Sequence, residues 1–396
     1  MGRARHISSA ITMKKLAIIG ASSFQNPLIL KAKDMGIETH VFAWECGDVG
    51  EKSADFFHPI SIAEKDAILQ TCREIGVDGI ASIGSDFANV TVAHVADAMG
   101  LTANSVDCVE RSTNKHAMRR AFEAHGDPSP RSVLVDADFD LSTLDLSFPI
   151  IVKPADRSGS RGITKLASEE GLQEAIAHAL SESFSDTAVV EEYVSGSEYS
   201  VEVLSWEGVH TLLAITEKFT TGAPCFIEMG HLEPARVNSQ VAKDIEAVVM
   251  HALDSLGVMY GASHAEVKVS EDGAVRIIEI GSRMGGDCIG SDLVRLSTGY
   301  DFVEAVIDVA LGIKPPAADR LTKRHAAVRF IFSDDDKEAL ERLRCDAPGM
   351  LAFVSHIDED EHDITDSSSR YGYFIFSSDS LEDVEPYLPS HQYFDR

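Results

Sequence analysis

An Asp-Gly pair between two alternating runs is the feature that most constrains how this chain can fold. Residues 262–269 and 274–280 alternate apolar and polar side chains, and Ser270-Glu271-Asp272-Gly273 separates them. This pattern predicts two strands joined by a hairpin with a two-residue turn. With Asp272 and Gly273 as the central turn residues, Glu266 lies directly across from Glu279. The apolar face then carries Ala265, Val267, Val269, Ile278 and Ile280.

The two opposed glutamates point to a cation between them. Directly opposed residues have Cβ atoms about 5 Å apart, and like charges at that distance destabilise a hairpin. Mg²⁺ removes this cost because it binds carboxylate oxygens together with substrate phosphates. We therefore predict that Glu266 and Glu279 bind Mg²⁺, with a solvated pair or a slipped register as the alternatives.

The first hundred residues alternate between strand-like and helix-like segments. Strands are predicted at 15–19, 38–44 and 79–83, and helices at 27–35, 63–75 and 90–99. This order favours a parallel sheet with helices on both faces and ligands at the carboxyl ends of the strands. The first turn reads GASSFQ and lacks the GxGxxG pattern, which argues against a dinucleotide-binding oxidoreductase.

Two segments in the middle of the chain are suited to binding a nucleotide. Lys153 ends an apolar run and precedes a loop of glycine, serine and arginine at 156–162. Such a loop can wrap its amides around phosphates, although a flexible hairpin has the same composition. Further on, a strand at 189–194 precedes Glu198, whose carboxylate can reach ribose hydroxyls; an edge strand with solvent-facing glutamates is the alternative.

Composition excludes several classes of protein. The 396 residues predict two or three packed units, and the formal net charge of −29 argues against a nucleic-acid partner. We find no apolar run of membrane-spanning length. The six cysteines are scattered without zinc spacing, so reduced thiols in a cytoplasmic protein are expected. Residues 1–12 have the character of an extension before Met13.

Together these segments resemble the ATP-grasp superfamily over roughly residues 14–330. Ser112-Thr-Asn-Lys115, Met118-Arg-Arg and Gly126-Asp-Pro128 are similar to the start of an ATP-grasp domain, and Glu279-Ile-Gly-Ser-Arg283-Met-Gly-Gly is similar to its terminal motif. Many members carry asparagine two residues after the second metal-binding acid, where this chain has Gly281.

The resemblance implies a role for each matching residue. It implies ATP and Mg²⁺ as cofactors, with Mn²⁺ as an alternative ion, and Arg283 as the contact for the transferring phosphate. The phosphates would contact Lys115, Lys153 and a loop that includes Ser158, Gly159, Ser160 and Gly162. The adenine edge would meet Glu191, Glu192 and Val194, the ribose Glu198, and the metal Glu266 and Glu279.

Within the superfamily the chain looks most like the carboxylate–amine and L-amino-acid ligases. Glu228–Pro234 resembles a substrate-side segment of that group, in which His231 orients a substrate or buffers a proton, unless it is structural. The implied reaction activates a carboxylate as an acyl phosphate and joins it to an amine. A carboxylase using bicarbonate (biotin-carboxylase-like or purine-pathway-like) and a non-catalytic nucleotide-binding protein remain alternatives. The expected partners are small-molecule substrates, and a homodimer is compatible with the resemblance.

The expected fold class is α/β and α+β. We predict an extension at 1–12, an α/β precursor domain at 13–111, and a two-lobed ATP-grasp domain at 112–314 with its small lobe at about 132–195. A small C-terminal α+β region follows at 315–396.

Overall fold

The computed structural model describes residues 13–157, 159, 161–223, 226–319 and 321–389, which form three sheets with their flanking helices. The predicted extension at 1–12 lies outside the described residues. The mixture of one parallel and two mainly antiparallel sheets confirms the expected fold class.

The first sheet is the predicted parallel one. Its elements are β1 (Lys15–Ile19), α1 (Asn26–Asp34), β2 (Glu38–Phe42), α2 (Val49–Ser53), β3 (Phe56–His58), α3 (Lys65–Ile75), β4 (Gly79–Ala81) and α4 (Asp86–Met99). The strands run parallel in the order β3-β2-β1-β4. The sequence had not predicted the short elements α2 and β3. The turns after β1 and β4 bring Gly20 and Gly84 to the same edge, as expected for parallel strands.

Two capped helices lead from this unit to a second sheet. The elements are α5 (Val106–Thr113), α6 (Lys115–His125), β5 (Ser132–Val135), β6 (Ile150–Pro154), β7 (Thr164–Leu166), α7 (Leu172–Glu182) and β8 (Ala188–Glu192). The strands pair antiparallel in the order β5-β8-β6-β7. Ile151 pairs with Glu191 and Lys153 with Val189, so the register of β6 and β8 brings Lys153 close to Glu191.

The third sheet has eight strands and extends to the C-terminal part of the chain. Its elements are β9 (Ser197–Trp206), β10 (Val209–Thr220), β11 (Glu228–Glu233), α8 (Ser239–Leu256), β12 (Tyr260–Val269), β13 (Val275–Gly281), α9 (Val294–Thr298), α10 (Phe302–Ala310), β14 (His325–Ile331), α11 (Asp334–Asp346), β15 (Leu351–Val354), β16 (Gly372–Ser378) and α12 (Leu381–Val384). The order is β13-β12-β9-β10-β11-β14-β16-β15. The C-terminal strands therefore continue the sheet that carries the hairpin, and the domain boundaries stay predictions.

The β12–β13 hairpin pairs the predicted glutamates, but its turn differs from the prediction. Ser270 donates to the Ala274 carbonyl, so Glu271-Asp272-Gly273 form a three-residue loop with Gly273 at a φ of +86°. This loop places Val269 opposite Val275, one position away from the predicted pairing. A bulge between Glu266 and Val267 then shifts the pairing back by one residue. Glu266 consequently pairs with Glu279 as predicted.

The bulge also changes which side chains share the apolar face. Val267 pairs with Ile277, and Ile277 is buried in the core with Val275 and Ile280. Ile278, which was predicted on that face, instead borders a cavity. That part of the prediction is wrong because Ile278 is the extra residue of the bulge. It has no direct partner on β12, and the side chains of β13 before and after it do not follow one regular alternation.

Two sequence-level expectations concern the chain as a whole. In the described part of the chain, no helix combines the length and apolar character needed to cross a membrane. The cysteines described there carry free thiols: Cys46, Cys72, Cys108, Cys288 and Cys345. Cys225 lies outside the described residues.

Candidate active site

All three sheets contribute to one cavity of about 430 Å³. Its charged lining is balanced, although the chain as a whole is strongly acidic. The cationic lining residues are Lys115, Lys153, Arg157, Arg161, Lys218, Lys268, Arg283 and Arg370. The acidic ones are Asp86, Glu191, Glu192, Glu198, Glu228, Glu266, Glu279 and Asp287. The cavity thus gathers cationic side chains that a phosphate group can contact, within an otherwise acidic chain.

Lys115 enters the cavity from the start of helix α6. The Asn114 side chain accepts a hydrogen bond from the Ala117 amide at 3.1 Å, which caps the helix and makes Lys115 its first residue. The Lys115 Nζ donates to the Arg157 carbonyl at 2.6 Å and lies 3.3 Å from Glu279 Oε1. This lysine therefore links the loop at 156–162 to a predicted metal ligand.

Lys153 lies at the end of β6 and pairs with a buried carboxylate. Its Nζ is 2.9 Å from Glu191 Oε2, and Arg119 donates to both Glu191 oxygens at 2.8 and 3.1 Å. Burial opposes the ionisation of Glu191, but the charges of Arg119 and Lys153 outweigh it and lower the pKa of Glu191 to about 2. Burial, aided by the nearby Arg119 and Lys115, lowers the pKa of Lys153.

The predicted adenine-edge residues do not share one environment. The carboxylate of Glu191 pairs with Lys153 and Arg119. Glu192 lies 3.3 Å from Arg131 and accepts from the Ser147 amide at 3.1 Å. Glu192 and Val194 both line the cavity.

The predicted phosphate loop is described only in part. Ser158 and Ser160 lie outside the described residues, whereas Gly159 lines the cavity at a φ of +77°. Gly162 packs away from it, since a Cβ there would lie 3.0 Å from both Glu182 and Pro154. Close packing, at a φ of +67°, therefore accounts for this glycine.

Lys218 on β10 is a cation that the sequence analysis missed. Its Nζ lies 2.6 Å from Glu266, 2.9 Å from Glu198 and 3.7 Å from Glu228. Burial opposes its charge, but these carboxylates raise the pKa of Lys218 well above its ordinary value. β10 also carries His210, Thr216 and Glu217, so the composition of this strand does not single out Lys218.

The facing glutamates suit a metal that also binds phosphate. Glu266 and Glu279 both border the cavity, and their present counter-ions are Lys218 and Lys115. Among the residues that the structure describes, no three His, Cys, Asp or Glu side chains converge as a metal cluster. Mg²⁺ usually takes one or two protein carboxylates and fills its shell with water and substrate phosphates, so this pair fits it.

A buried histidine supports Glu266. His264 Nδ1 makes a short hydrogen bond with the fully buried Glu202, and its Nε2 lies 3.6 Å from Glu266 Oε1. Burial opposes protonation of His264, but Glu202 overcomes it and raises the pKa of His264 to about 9. A charged His264 therefore helps to fix the Glu266 carboxylate.

The Arg283 side chain is held by Asp86, which lies on the helix that follows β4 of the first sheet. Its Nε and Nη2 donate to the two oxygens of Asp86 at 2.7 and 2.9 Å, and Nη1 donates to the Met284 carbonyl at 3.2 Å. Asp86 is the first residue of α4, so the pair joins the parallel sheet to the hairpin strand β13. No local sequence pattern predicts this contact, because 197 positions separate the two residues.

His231 lines the cavity beside a second ion pair. Its Nε2 is 3.8 Å from Asp287 Oδ2, and neither ring nitrogen has a hydrogen-bond partner within the described part of the chain. Asp287 pairs with Arg370 at 2.7 and 2.9 Å, and the Arg370 guanidinium stacks 3.5 Å above Phe330. Arg370 belongs to the C-terminal segment, which was not predicted to reach the site.

Comparisons with known proteins show what this chain is similar to. A family model for the ATP-grasp domain matches residues 146–291. The chain is 27% identical over 281 residues to the uncharacterized protein y4rH of Sinorhizobium fredii, covering 68% of this chain and 57% of that one. It is 24% identical over 298 residues to the alanine–anticapsin ligase of Bacillus subtilis, covering 66% and 62%. This chain thus spans less than two thirds of the length of either relative.

The fold is shared over almost the whole chain with a solved structure. The L-amino acid ligase from Bacillus licheniformis superposes with a TM-score of 0.79 at 24% sequence identity, covering 94% of this chain and 95% of that one. At that identity the match establishes the fold. The match to the ATP-grasp domain itself covers residues 146–291.

Proposed function

We propose that this protein is an ATP-dependent ligase that converts a carboxylate into an acyl phosphate and joins it to an amine, releasing ADP and phosphate. The carrying observation is that Lys115, Lys153, Glu266, Glu279 and Arg283 line a single cavity. Phosphoryl transfer depends on positioning and on neutralising the charge of the transferred group, and this set supplies both. The names of the relatives, which include an alanine–anticapsin ligase and an L-amino acid ligase, support an amino acid as the activated carboxylate.

ATP with Mg²⁺ would supply the phosphoryl group and part of the charge neutralisation. Glu266 and Glu279 would hold the ion, while Lys115 and Lys153 would contact phosphate oxygens. Glu191 supports this role of Lys153, because a buried carboxylate fixes the direction of the ammonium group. The buried positions of these lysines favour contact with a ligand that replaces their hydration.

We assign the remaining steps to two other residues that line the cavity, Arg283 and His231. The substrate carboxylate would attack the terminal phosphorus of ATP, and Arg283 would donate hydrogen bonds to the transferred phosphate oxygens. The amine would then attack the activated carbonyl, and phosphate would leave. Burial lowers the pKa of His231, so its neutral ring can accept the proton that the attacking amine loses.

Contacts across the cavity mouth support the exclusion of water, which would hydrolyse an acyl phosphate. Arg161, beside the glycine loop, lies 3.5 Å from Asp366 of the C-terminal segment. Ser367 of the same segment donates to Glu228 at 2.6 Å. The contact of Arg161 thus joins the second sheet to the segment between β15 and β16 of the third.

An ADP-release screen with hydroxylamine tests the reaction class. Purified protein with ATP and Mg²⁺ would be offered amino acids, small organic acids and bicarbonate, each with and without hydroxylamine. The expected result is ADP formation together with a hydroxamate of one amino acid, because hydroxylamine captures the acyl phosphate. AMP and pyrophosphate would contradict an acyl phosphate, ADP with bicarbonate alone would indicate a carboxylase, and no ADP with any substrate would indicate a non-catalytic nucleotide-binding protein.

Location and assembly belong to the same proposal. We propose a cytoplasmic enzyme acting on small molecules, a location that the free thiols support. A homodimer stays a prediction, which light scattering of the purified protein would test.

A further inference from the structure

The ion pair between Asp86 and Arg283 occupies the space beside Gly281. A Cβ added at position 281 would lie 2.9 Å from Asp86 Oδ1 and 3.2 Å from Arg283 Nε. Both distances are too short for an ordinary contact, and the first would require a charged atom of the pair to move. Any side chain at position 281 is therefore incompatible with the pair as it stands.

The backbone around Arg283 is fixed independently of this pair. Asn89 donates to the Ser282 carbonyl at 3.1 Å, the Ser112 and Ser282 hydroxyl groups lie 2.6 Å apart, and the Gly84 amide donates to the Met284 carbonyl at 3.1 Å. These contacts hold the main chain of 282–284 against α4 and α5. They leave the direction of the Arg283 side chain to be set by the charged group it meets, which is Asp86.

The geometry of the pair directs the rest of the guanidinium toward the cavity. Two parallel hydrogen bonds to one carboxylate fix both the position and the plane of an arginine. The bonds to Asp86 and Met284 leave N–H groups on Nη1 and Nη2 for a ligand. The two side chains are 11% and 14% exposed, so little solvent competes for them.

We infer that Asp86 is the positioning residue for Arg283, and that glycine at position 281 leaves the space this pair occupies. The inference rests on the proposed function and deepens it. Asp86 fixes Arg283 so that its free N–H groups meet the phosphate that is transferred.

The direction in which Asp86→Asn changes phosphate affinity distinguishes a positioning role of Asp86 from a purely electrostatic one. Asp86→Asn removes a negative charge next to an anion site, so electrostatics alone predicts tighter phosphate binding. If Asp86 positions Arg283 through its two charge-assisted hydrogen bonds, Asp86→Asn should weaken phosphate binding instead. Inorganic phosphate is the probe, titrated calorimetrically into the full-length protein saturated with MgADP, the two being products of the proposed reaction.

We expect Asp86→Asn to weaken phosphate binding about tenfold, as the loss of a bidentate charged contact does. MgADP affinity, measured on the same sample, should change little, whereas the melting temperature should fall because a buried ion pair loses one of its charges. The titration is therefore run well below that temperature, on folded protein. Gly281→Ala should weaken phosphate binding in the same way, because its methyl group displaces the pair. Asn89→Ala is the matched control on α4, since it loses the hydrogen bonds to Ser282 but leaves the ion pair intact.

A double substitution completes the test. In an Arg283→Ala background, Asp86→Asn should have no further effect on phosphate binding, because Asp86 acts through the arginine. Tighter or unchanged phosphate binding by Asp86→Asn would overturn the inference, and so would an equal loss in both backgrounds. Absence of phosphate binding by the wild-type MgADP complex would overturn it as well, whereas failure of the proposed function would show separately as the absence of ADP in the substrate screen.

Discussion

Glu266 and Glu279 occupy directly opposed positions on β12 and β13, and each carries a lysine from a different part of the chain as its counter-ion. Lys218 of β10 lies 2.6 Å from Glu266, and Lys115 of α6 lies 3.3 Å from Glu279. Two opposed carboxylates are tolerated here because cations already neutralise them. A metal that binds both must share them with these lysines, which links metal binding to the charge state of the whole cavity.

The first prediction concerns the metal pair. Glu279→Ala should abolish turnover in the ADP-release assay, since losing a metal ligand raises the phosphoryl-transfer barrier by several kcal/mol. Glu271→Ala is the control, because Glu271 is an exposed residue of the loop in the same hairpin. Activity of Glu279→Ala equal to that of wild type would rule out the assigned role.

The second prediction concerns Lys153. Lys153→Met should weaken ATP binding far more than adenosine binding, because the lysine is assigned to phosphate and not to the base. Glu191 keeps Arg119 as a partner in this variant, so the fold should survive. Calorimetric titration with both ligands would decide, and equal losses for the two would move Lys153 out of the phosphate site.

The third prediction concerns Lys218. Lys218→Met leaves Glu198, Glu228 and Glu266 without their shared cation, which should cost about 3–5 kcal/mol of stability, as breaking buried ion pairs does. Mg²⁺ should restore part of this loss, so the melting temperature of the variant should rise more steeply with Mg²⁺ than that of wild type.

Lys268→Met provides the control for that experiment. Lys268 also lines the cavity, but its contacts are Glu198 at 3.6 Å and the Tyr193 ring, and Glu266 is not among them. Its melting temperature should follow the wild-type dependence on Mg²⁺. Equal Mg²⁺ dependence in the two lysine variants would show that Lys218 does not share a carboxylate with the metal.

The fourth prediction concerns the pH dependence of stability at Glu233. This carboxyl is fully buried against Thr216 and Ser297, and burial raises its pKa from 4.5 to about 8. Between these values the unfolded chain releases the proton and the folded protein keeps it. The contribution of Glu233 to the free energy of unfolding is therefore fully present below pH 4.5 and is lost as the pH rises to about 8.

Glu233→Gln should remove that pH dependence, because glutamine does not ionise. The free energy of unfolding of the variant relative to wild type should increase between those two pH values by up to about 1.4 kcal/mol per pH unit. Urea unfolding at several pH values measures this difference, with Glu271→Gln as an exposed control. A difference that stays constant with pH would show that Glu233 is ionised in the folded protein.

The sequence by itself determined the parallel sheet, the hairpin and the pairing of Glu266 with Glu279. The parallel sheet follows from apolar runs that alternate with amphipathic helices, and the hairpin follows from an Asp-Gly pair between two alternating strands. The exact turn was wrong and the pairing survived, because a bulge after Glu266 compensated for the longer loop. A bulge has no reliable local signal, which is why Ile278 was placed on the wrong face.

Only the tertiary structure decided which distant charges meet in the cavity. Lys218 approaches Glu266 because β9 and β10 pair beside β12, and Arg370 arrives because the C-terminal strands join the same sheet. Asp86 reaches Arg283 from another sheet, and their contact explains why position 281 is glycine. Ion pairs between residues far apart in sequence depend on strand order and helix placement, and spacing along the chain carries no information about either.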